Sequence, residues 1–316
     1  MNKNQKLKIV LVSTWPPRKC GIATYSADLV SALRKLGHEV HIVCHLDGGI
    51  PGEKNIYRAI DMRRYDWFVP MYRTIEKVDP DIVHIQHEFA IYTPLIGTKY
   101  DFSPENSFSF LADPILRWKI ERRPTAITYH SVYSKMTLPE AIYYDHIMGL
   151  ATANIVHEPY QKEGLTKNLG RKIHNIFVIP HGAWGLDKLL SKKEQKKIRG
   201  WEEKKVVGLF GWWEPNKAFE RVIEIWPKIV KKVPEALLVV AGDARPGSPT
   251  GLAYKKKILG MISKSPAESS IRALVGAFSP EEHIEVISAI DLTVLPYIFA
   301  SQSGNLAHAY TAGVPA

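Results

Sequence analysis

Short runs rich in isoleucine and valine alternate along this chain with longer stretches whose apolar residues recur at helical spacing. KIVLVST (8–14) is a β-branched run that ends in turn residues. IATYSADLVSALRKLGHEV follows with apolar positions at helical spacing and stops at Gly37, a helix C-terminus. VHIVC is then a second strand, so the first 44 residues read β-loop-α-β. DIVHIQHE (81–88), TAITYHS (125–131), NIVHEP (154–159) and NIFVIPHG (175–182) have the same short, Ile/Val-rich character and end in polar residues. Strands buried in a parallel sheet look like this, and such sheets bind ligands beyond the carboxyl ends of their strands.

A second series repeats the architecture without repeating the sequence. Strand VVGLFG (206–211) precedes helix AFERVIEIWPKIVKKV, strand ALLVVAGD (236–243) and a helix around Tyr254 to Ser263. Strand IRALVGAF (271–278), helix PEEHIEVISAI, strand LTVLPY (292–297) and a helix opening at SGNLAHAYTAG complete it. The pattern predicts two doubly wound, Rossmann-like α/β domains whose facing strand ends form a cleft. The boundary is placed within 183–200, giving domains 1–185 and 186–316. Residues 92–123 do not alternate cleanly and are expected as a surface excursion of the first domain, near the acceptor.

Composition narrows the class. A length of 316 residues exceeds one ordinary core, and 45% hydrophobic with 23% charged residues describes a globular chain. No apolar run approaches the roughly 20 residues of a membrane span. The opening MNKNQKLKIVLVS is basic, but its apolar stretch is only IVLV, a first strand rather than a signal peptide. Cys20 and Cys44, the two cysteines, make no disulfide framework and point to a reducing cytoplasm. The formal charge of +10 favours anionic partners: nucleotide phosphates, nucleic acid or an acidic membrane surface contacted peripherally. Much of the excess lies between Lys188 and Lys205 and at Lys228, Lys231 and Lys232, read as a solvated helical surface. The basic residues are not interleaved with aromatics in a nucleic-acid module, so nucleic acid is not expected as a partner. Of the twelve histidines, His84 and His87 are three apart on a strand and face opposite ways, and His157, His174 and His181 lack a ligand pattern such as H-E-x-x-H. No metal is expected.

Three segments carry candidate chemistry. PPRKCGIATYS (16–26) joins the first strand to the first helix, with Pro16 and Pro17 stiffening the turn and Gly21 admitting a close ligand. It has neither G-x-G-x-x-G nor a P-loop, and a phosphate-binding turn and an ordinary strand–helix turn both fit it. GLFGWWEPNKAFERVIE (208–224) places Lys217 where a strand end meets a helix start, suited to a diphosphate by charge and donor count. PYIFASQSGNLAHAYTAGVP (296–315) ends a strand at Pro296, and Gln302 then leads into a helix of small residues. There Ser303, Gly304, Asn305 and Leu306 would turn backbone N–H groups toward an anion.

In order and spacing these segments resemble the family 4 glycosyltransferases, retaining enzymes of GT-B fold. The likeness runs through KIVLVSTWPPRKCGIATYSADLVSALRKLGHEVHIVC, IVHIQHE, IPHGAW, FGWWEPNKAFERVIE, LLVVAGD and LPYIFASQSGNLAHAYTAGVP. The resemblance implies transfer of a hexose from a nucleoside diphosphate sugar, UDP- or GDP-linked, to a hydroxyl of a glycan, lipid or small molecule, without a metal or other cofactor. It assigns Lys217 and His130 as catalytic, Lys217 at the donor diphosphate and His130 beside the transferring sugar. Gly21, Trp212, Val275, Gly276, Phe278, Gln302, Ser303, Gly304, Asn305, Leu306 and His308 would line the donor, the base lying near 275–278. His87 and Glu88 would face the acceptor.

The chain also departs from the family pattern. Trp212 stands where an arginine is common, and alignment on Ala312-Gly313-Val314-Pro315 puts Ala300 and His308 at two positions usually glutamate, which hold the donor sugar and its ribose. Gln302 is expected to take over part of that role. The sequence ends at Ala316, where GT-B members continue through a further strand and helix, so a shortened donor domain is expected. Two alternatives follow: a catalytically weak sugar-nucleotide-binding protein of the same fold, and a GT-B sugar-nucleotide epimerase.

Overall fold

The computed structural model describes residues 5–92, 109–183 and 190–316. The chain divides into two compact units, Met1–Pro180 and His181–Ala316. The expected boundary, between residues 185 and 186, lies outside the described residues.

The first unit is built on strands β1 (Lys8–Ser13), β2 (Glu39–His45), β3 (Ile56–Ile60), β4 (Ile82–His87), β5 (Thr125–Tyr129), β6 (Ala153–Val156) and β7 (Ile176–Val178). All pair in parallel, in the order β3-β2-β1-β4-β5-β6-β7. Helices α1 (Gly21–Lys35), α2 (Phe68–Val78), α3 (Ser109–Ile120), α4 (Leu138–Leu150) and α5 (Pro159–Leu169) cover the faces. Leu11, Val12, Ile42, Val43, Val83 and Ile85 are fully buried, as the continuous apolar runs require of a sheet packed on both sides. The strand order reverses between β1 and β4, which opens a crevice at their carboxyl ends.

The region 92–123 corrects the expected surface excursion. Its described part contains α3, and Leu111, Ala112, Ile115 and Trp118 are buried in the core of the unit. Trp118 donates its indole N–H to Glu76 at 3.0 Å. The helix escaped notice because Pro114 interrupts it and its apolar residues are spread round the axis. Residues 93–108 lie outside the described residues.

The second unit carries β8 (Lys205–Phe210), β9 (Ala236–Gly242), β10 (Ile271–Val275) and β11 (Leu292–Thr293), parallel in the order β10-β9-β8-β11. Its helices are α6 (Lys192–Ile198), α7 (Phe219–Lys232), α8 (Pro249–Ser263), α9 (Pro280–Ser288) and α10 (Gly304–Thr311). Each expected element of this half is present, although LTVLPY shortens to two residues of strand. Within the lysine-rich stretch, Lys196 is held at 2.5 Å by Asp291, just before β11.

Two glycines set the geometry at the carboxyl end of this sheet. Gly211, past β8, has φ +118° and Gly242, ending β9, has φ +137°, conformations that side chains rarely adopt. A Cβ at Gly242 would stand 2.0 Å from the Gly211 carbonyl oxygen. Gly242→Ala is therefore expected to destabilise the protein by about 3 kcal/mol or more, from left-handed strain plus overpacking. A urea midpoint equal to that of the parent would show that the 211 carbonyl can retreat.

Candidate functional site

The strand order of the second sheet reverses beside β8, between β9 and β11, so its crevice opens above Phe210 and Gly211. Two segments enter that crevice. The first is a 3-10 turn, Pro215–Lys217, closed by the Lys217 N–H on the Glu214 carbonyl at 2.9 Å and followed by Ala218 at φ +50°. The second is the run from β11 into α10. Ile298 donates its N–H to the Asn216 carbonyl at 2.9 Å, which ties the two segments together. The Lys217 ammonium lies 3.7 Å from the centroid of the Tyr297 ring, a cation–π contact that restrains an otherwise flexible stem.

Asn305 completes the arrangement. Its amide nitrogen donates to the Phe210 carbonyl at 3.0 Å, and a Cβ at Gly211 would meet Asn305 Nδ2 at 2.7 Å and Lys217 Cε at 4.0 Å. Lys217 and the first turn of α10 thus converge across Gly211. Ser303 caps α10 by accepting from the Leu306 N–H at 3.4 Å, so the amides of Gly304 and Asn305 are left as first-turn donors. The first turn of α10 holds no acidic residue that would compensate the dipole end. The start of α7 is closed instead: the Tyr254 hydroxyl accepts from the Phe219 N–H at 2.8 Å and donates to Glu220.

Histidines and one amide surround this crevice. His308 and His283 meet edge to face at 5.8 Å. Burial pushes both imidazoles down to about 4, with the His283 and His181 rings lowering His308 further, so both are neutral at pH 7. His181 donates from Nδ1 to the Gly182 carbonyl at 2.7 Å, and a Cβ at Gly304 would sit 3.1 Å from its Cε1. Among the described residues, the buried Gln302 Oε1 has no hydrogen-bond partner. A buried acceptor without a donor is costly, and a ligand hydroxyl would satisfy it.

The remaining donor-side residues are placed less uniformly. Gly276 is drawn to the strand ends by its N–H on the Gly242 carbonyl at 3.1 Å, and Val275 beside it is exposed. Phe278 packs half-buried against the core formed by Phe210, Ala241 and Ile287. Trp212 is half-buried, next to the fully buried Trp213.

In the first unit Gly21 opens α1, behind an extended Cys20 that contributes no side-chain cap, with open space on its Cα. One turn on, Tyr25 meets His130 edge to face at 4.9 Å, so the structure brings the Gly21 helix start and His130 together. His157 lies 5.2 Å from His130 and 5.4 Å from Tyr25. His87 and Glu88 separate. His87 is 1% exposed, hydrogen-bonded to the Tyr143 hydroxyl at 2.9 Å and enclosed by Tyr92, Tyr129 and Tyr144, and burial pushes it down to about 3. Such a ring stabilises the core and has no face for an acceptor. Glu88, half-buried at the strand end, accepts from the Ser131 hydroxyl at 3.3 Å.

Sequence reading missed Tyr297, His283, Tyr25 and Gln86. Tyr297 and His283 are brought in by tertiary contacts that no local pattern encodes. Gln86 carried a signal: it shares a strand face with His84, and polar residues two apart on a buried strand need partners.

Residues 20–104 match the sequence profile of Glycosyltransferase Family 4. No curated protein matches the chain in sequence. In fold the chain is similar to Anabaena HepE, solved in complex with UDP-glucose, with a TM-score of 0.67 at 15% identity over 98% of this chain and 79% of that one. It is similar also to an α,α-trehalose-phosphate synthase (UDP-forming) from Burkholderia vietnamiensis, with a TM-score of 0.65 at 9% identity over 97% and 81%. The N-terminal domain of Candida albicans trehalose-6-phosphate phosphatase gives a TM-score of 0.67 at 10% identity over 96% and 80%. The fold is therefore α/β of GT-B type, each unit a parallel doubly wound sheet.

The neutral histidines give the protein a pH signature. An unfolded imidazole near 6.5 takes its proton before His283 or His308 does near 4, so stability is lost as pH falls from about 6.5 to 4. His84, also held at about 4, and His87 add to the same window. Each fully buried group contributes a slope of up to ~1.4 kcal/mol per pH unit. His308→Gln is expected to remove close to one proton from the slope of unfolding free energy against pH. An unchanged slope would mean that His308 is not kept neutral.

Proposed function

We propose that this chain, whose residues 20–104 match Glycosyltransferase Family 4, is a retaining hexosyltransferase that uses a UDP- or GDP-linked sugar and a hydroxyl acceptor. The observation that carries this reading is the convergence of Lys217, held over Tyr297, with the open first turn of α10 across Gly211. One fixed cation and two or more peptide N–H groups suit a diphosphate, and they act most strongly as it gains charge on leaving. In the reaction the bond from the anomeric carbon to the diphosphate breaks and the acceptor oxygen bonds to the same face. The leaving diphosphate takes the acceptor's proton. Gln302 accepts from a donor hydroxyl through its orphan carbonyl oxygen, and Glu88 lies on the acceptor side. The resemblance assigns His130 to the transferring sugar, and within its own unit that ring packs on Tyr25 in the first turns of the helix that Gly21 opens. That Ala300 and His308 replace carboxylates favours one second reading, a protein that binds the sugar nucleotide and turns it over weakly.

Thermal unfolding against UDP-, GDP- and ADP-sugars tests the binding half. A true donor at a hundred times its dissociation constant adds about 2.7 kcal/mol of stability. Lys217→Met is expected to weaken that donor roughly 10- to 150-fold, the equivalent of a lost charged hydrogen bond. Equal affinity in the variant would remove Lys217 from the diphosphate site. Gln302→Ala with unchanged donor affinity would likewise remove Gln302. Incubation with a panel of hydroxyl acceptors, followed by NMR of the anomeric centre, tests the chemistry. Retained configuration supports transfer, binding without turnover supports the second reading, and an epimer formed without acceptor would replace both.

A further inference from the structure

Polar residues of β4, β5 and the turn after β5 form a hydrogen-bonded chain, and the orientation of its one amide assigns the proton positions. The His130 ring nitrogen Nε2 lies 2.8 Å from Gln86 Oε1. A carboxamide oxygen can only accept, so His130 carries its proton on Nε2. The other end of the same amide, Gln86 Nε2, lies 3.2 Å from His84 Nε2. An amide nitrogen can only donate, so His84 Nε2 is the acceptor there, with the Thr128 hydroxyl 2.8 Å from the same atom. Gln86 itself is fully buried, and the His130 main-chain N–H donates to the His87 carbonyl at 2.9 Å, so neither end of the relay can drift. Tyr25 and His157 wall the His130 ring.

We infer that Gln86 is a positioning residue that joins His84 at one end to His130 at the other and holds a proton on His130 Nε2. This rests on the reading of His130 as the histidine beside the transferring sugar. A ring whose Nε2–H is held by one fixed acceptor keeps one orientation and one proton position there, whereas an unheld ring spends part of its time in the wrong one. The two histidines are opposite tautomers because one amide separates them. A glutamate buried at position 86 is pushed toward its protonated form, which accepts from His130 through its carbonyl oxygen and donates to His84 through its hydroxyl, as the amide does.

The test is 15N NMR of the whole chain with labelled histidine, since ring-nitrogen shifts separate N–H from lone-pair nitrogen. In the parent, His130 is expected as Nε2–H and His84 as Nδ1–H. In Gln86→Glu, both rings keep their proton positions. In Gln86→Met, of similar volume, His130 loses its single tautomer. With a donor and acceptor in hand, Gln86→Met is expected to lower kcat roughly tenfold with little change in donor KM, and Gln86→Glu to restore most of it. Inverted or mixed tautomers in the parent overturn the inference. Expected tautomers with unaltered kcat in Gln86→Met remove His130 from the reaction while leaving the relay intact.

Discussion

Everything in the second unit is arranged around one close approach of backbone to backbone. The chain leaving β9 runs so near the carbonyl that follows β8 that no side chain fits between them, and Gly211 and Gly242 each turn through positive φ to allow it. The approach brings the loops after β8 and β9 together, with Trp213 donating its main-chain N–H to the Asp243 carbonyl at 2.8 Å. The loop after β8 therefore cannot swing away, and Lys217 and Asn305 stand on the same small patch of main chain. The proposed diphosphate site, made mostly of peptide groups, would need this rigidity, because peptide donors cannot adjust as lysine side chains do.

Among the described residues, the cation that converges with the first turn of α10 is Lys217, and helix dipoles add to it. The imidazoles around it are held neutral by burial, so they supply directional hydrogen bonds and no field of their own. The formal excess of +10 has little to do with the site. Part of it is spent on structural pairs such as Lys196 with Asp291, and the carboxylates at 300 and 308 that the resemblance would supply are replaced by Ala300 and His308.

The alternation of Ile/Val runs and amphipathic stretches made both doubly wound sheets legible, because strands buried on two faces must be apolar throughout. The strand–helix junctions at Gly21, Lys217 and Gln302 were legible for a related reason: glycine, lysine and small polar residues at strand ends have few structural uses. Helix α3 was not, since its apolar residues surround the axis and Pro114 disguises it. His87 misled because a histidine at a strand end looks functional, and only the tyrosines packed around it from α4 and β5 show otherwise. Tyr297 and Gln86 act through partners far away in sequence, and no periodicity reports such pairs.

The tyrosine on α8 has a bearing on how an anion finds its place. Left bare, the start of α7 would offer a second positive dipole end a short way from the first, and a diphosphate could settle in two registers. Tyr254 stops this by filling the vacancy with a hydroxyl that is itself anchored to Glu220. The start of α7 is furnished from within, so under the proposed reading an arriving anion is steered toward the start of α10.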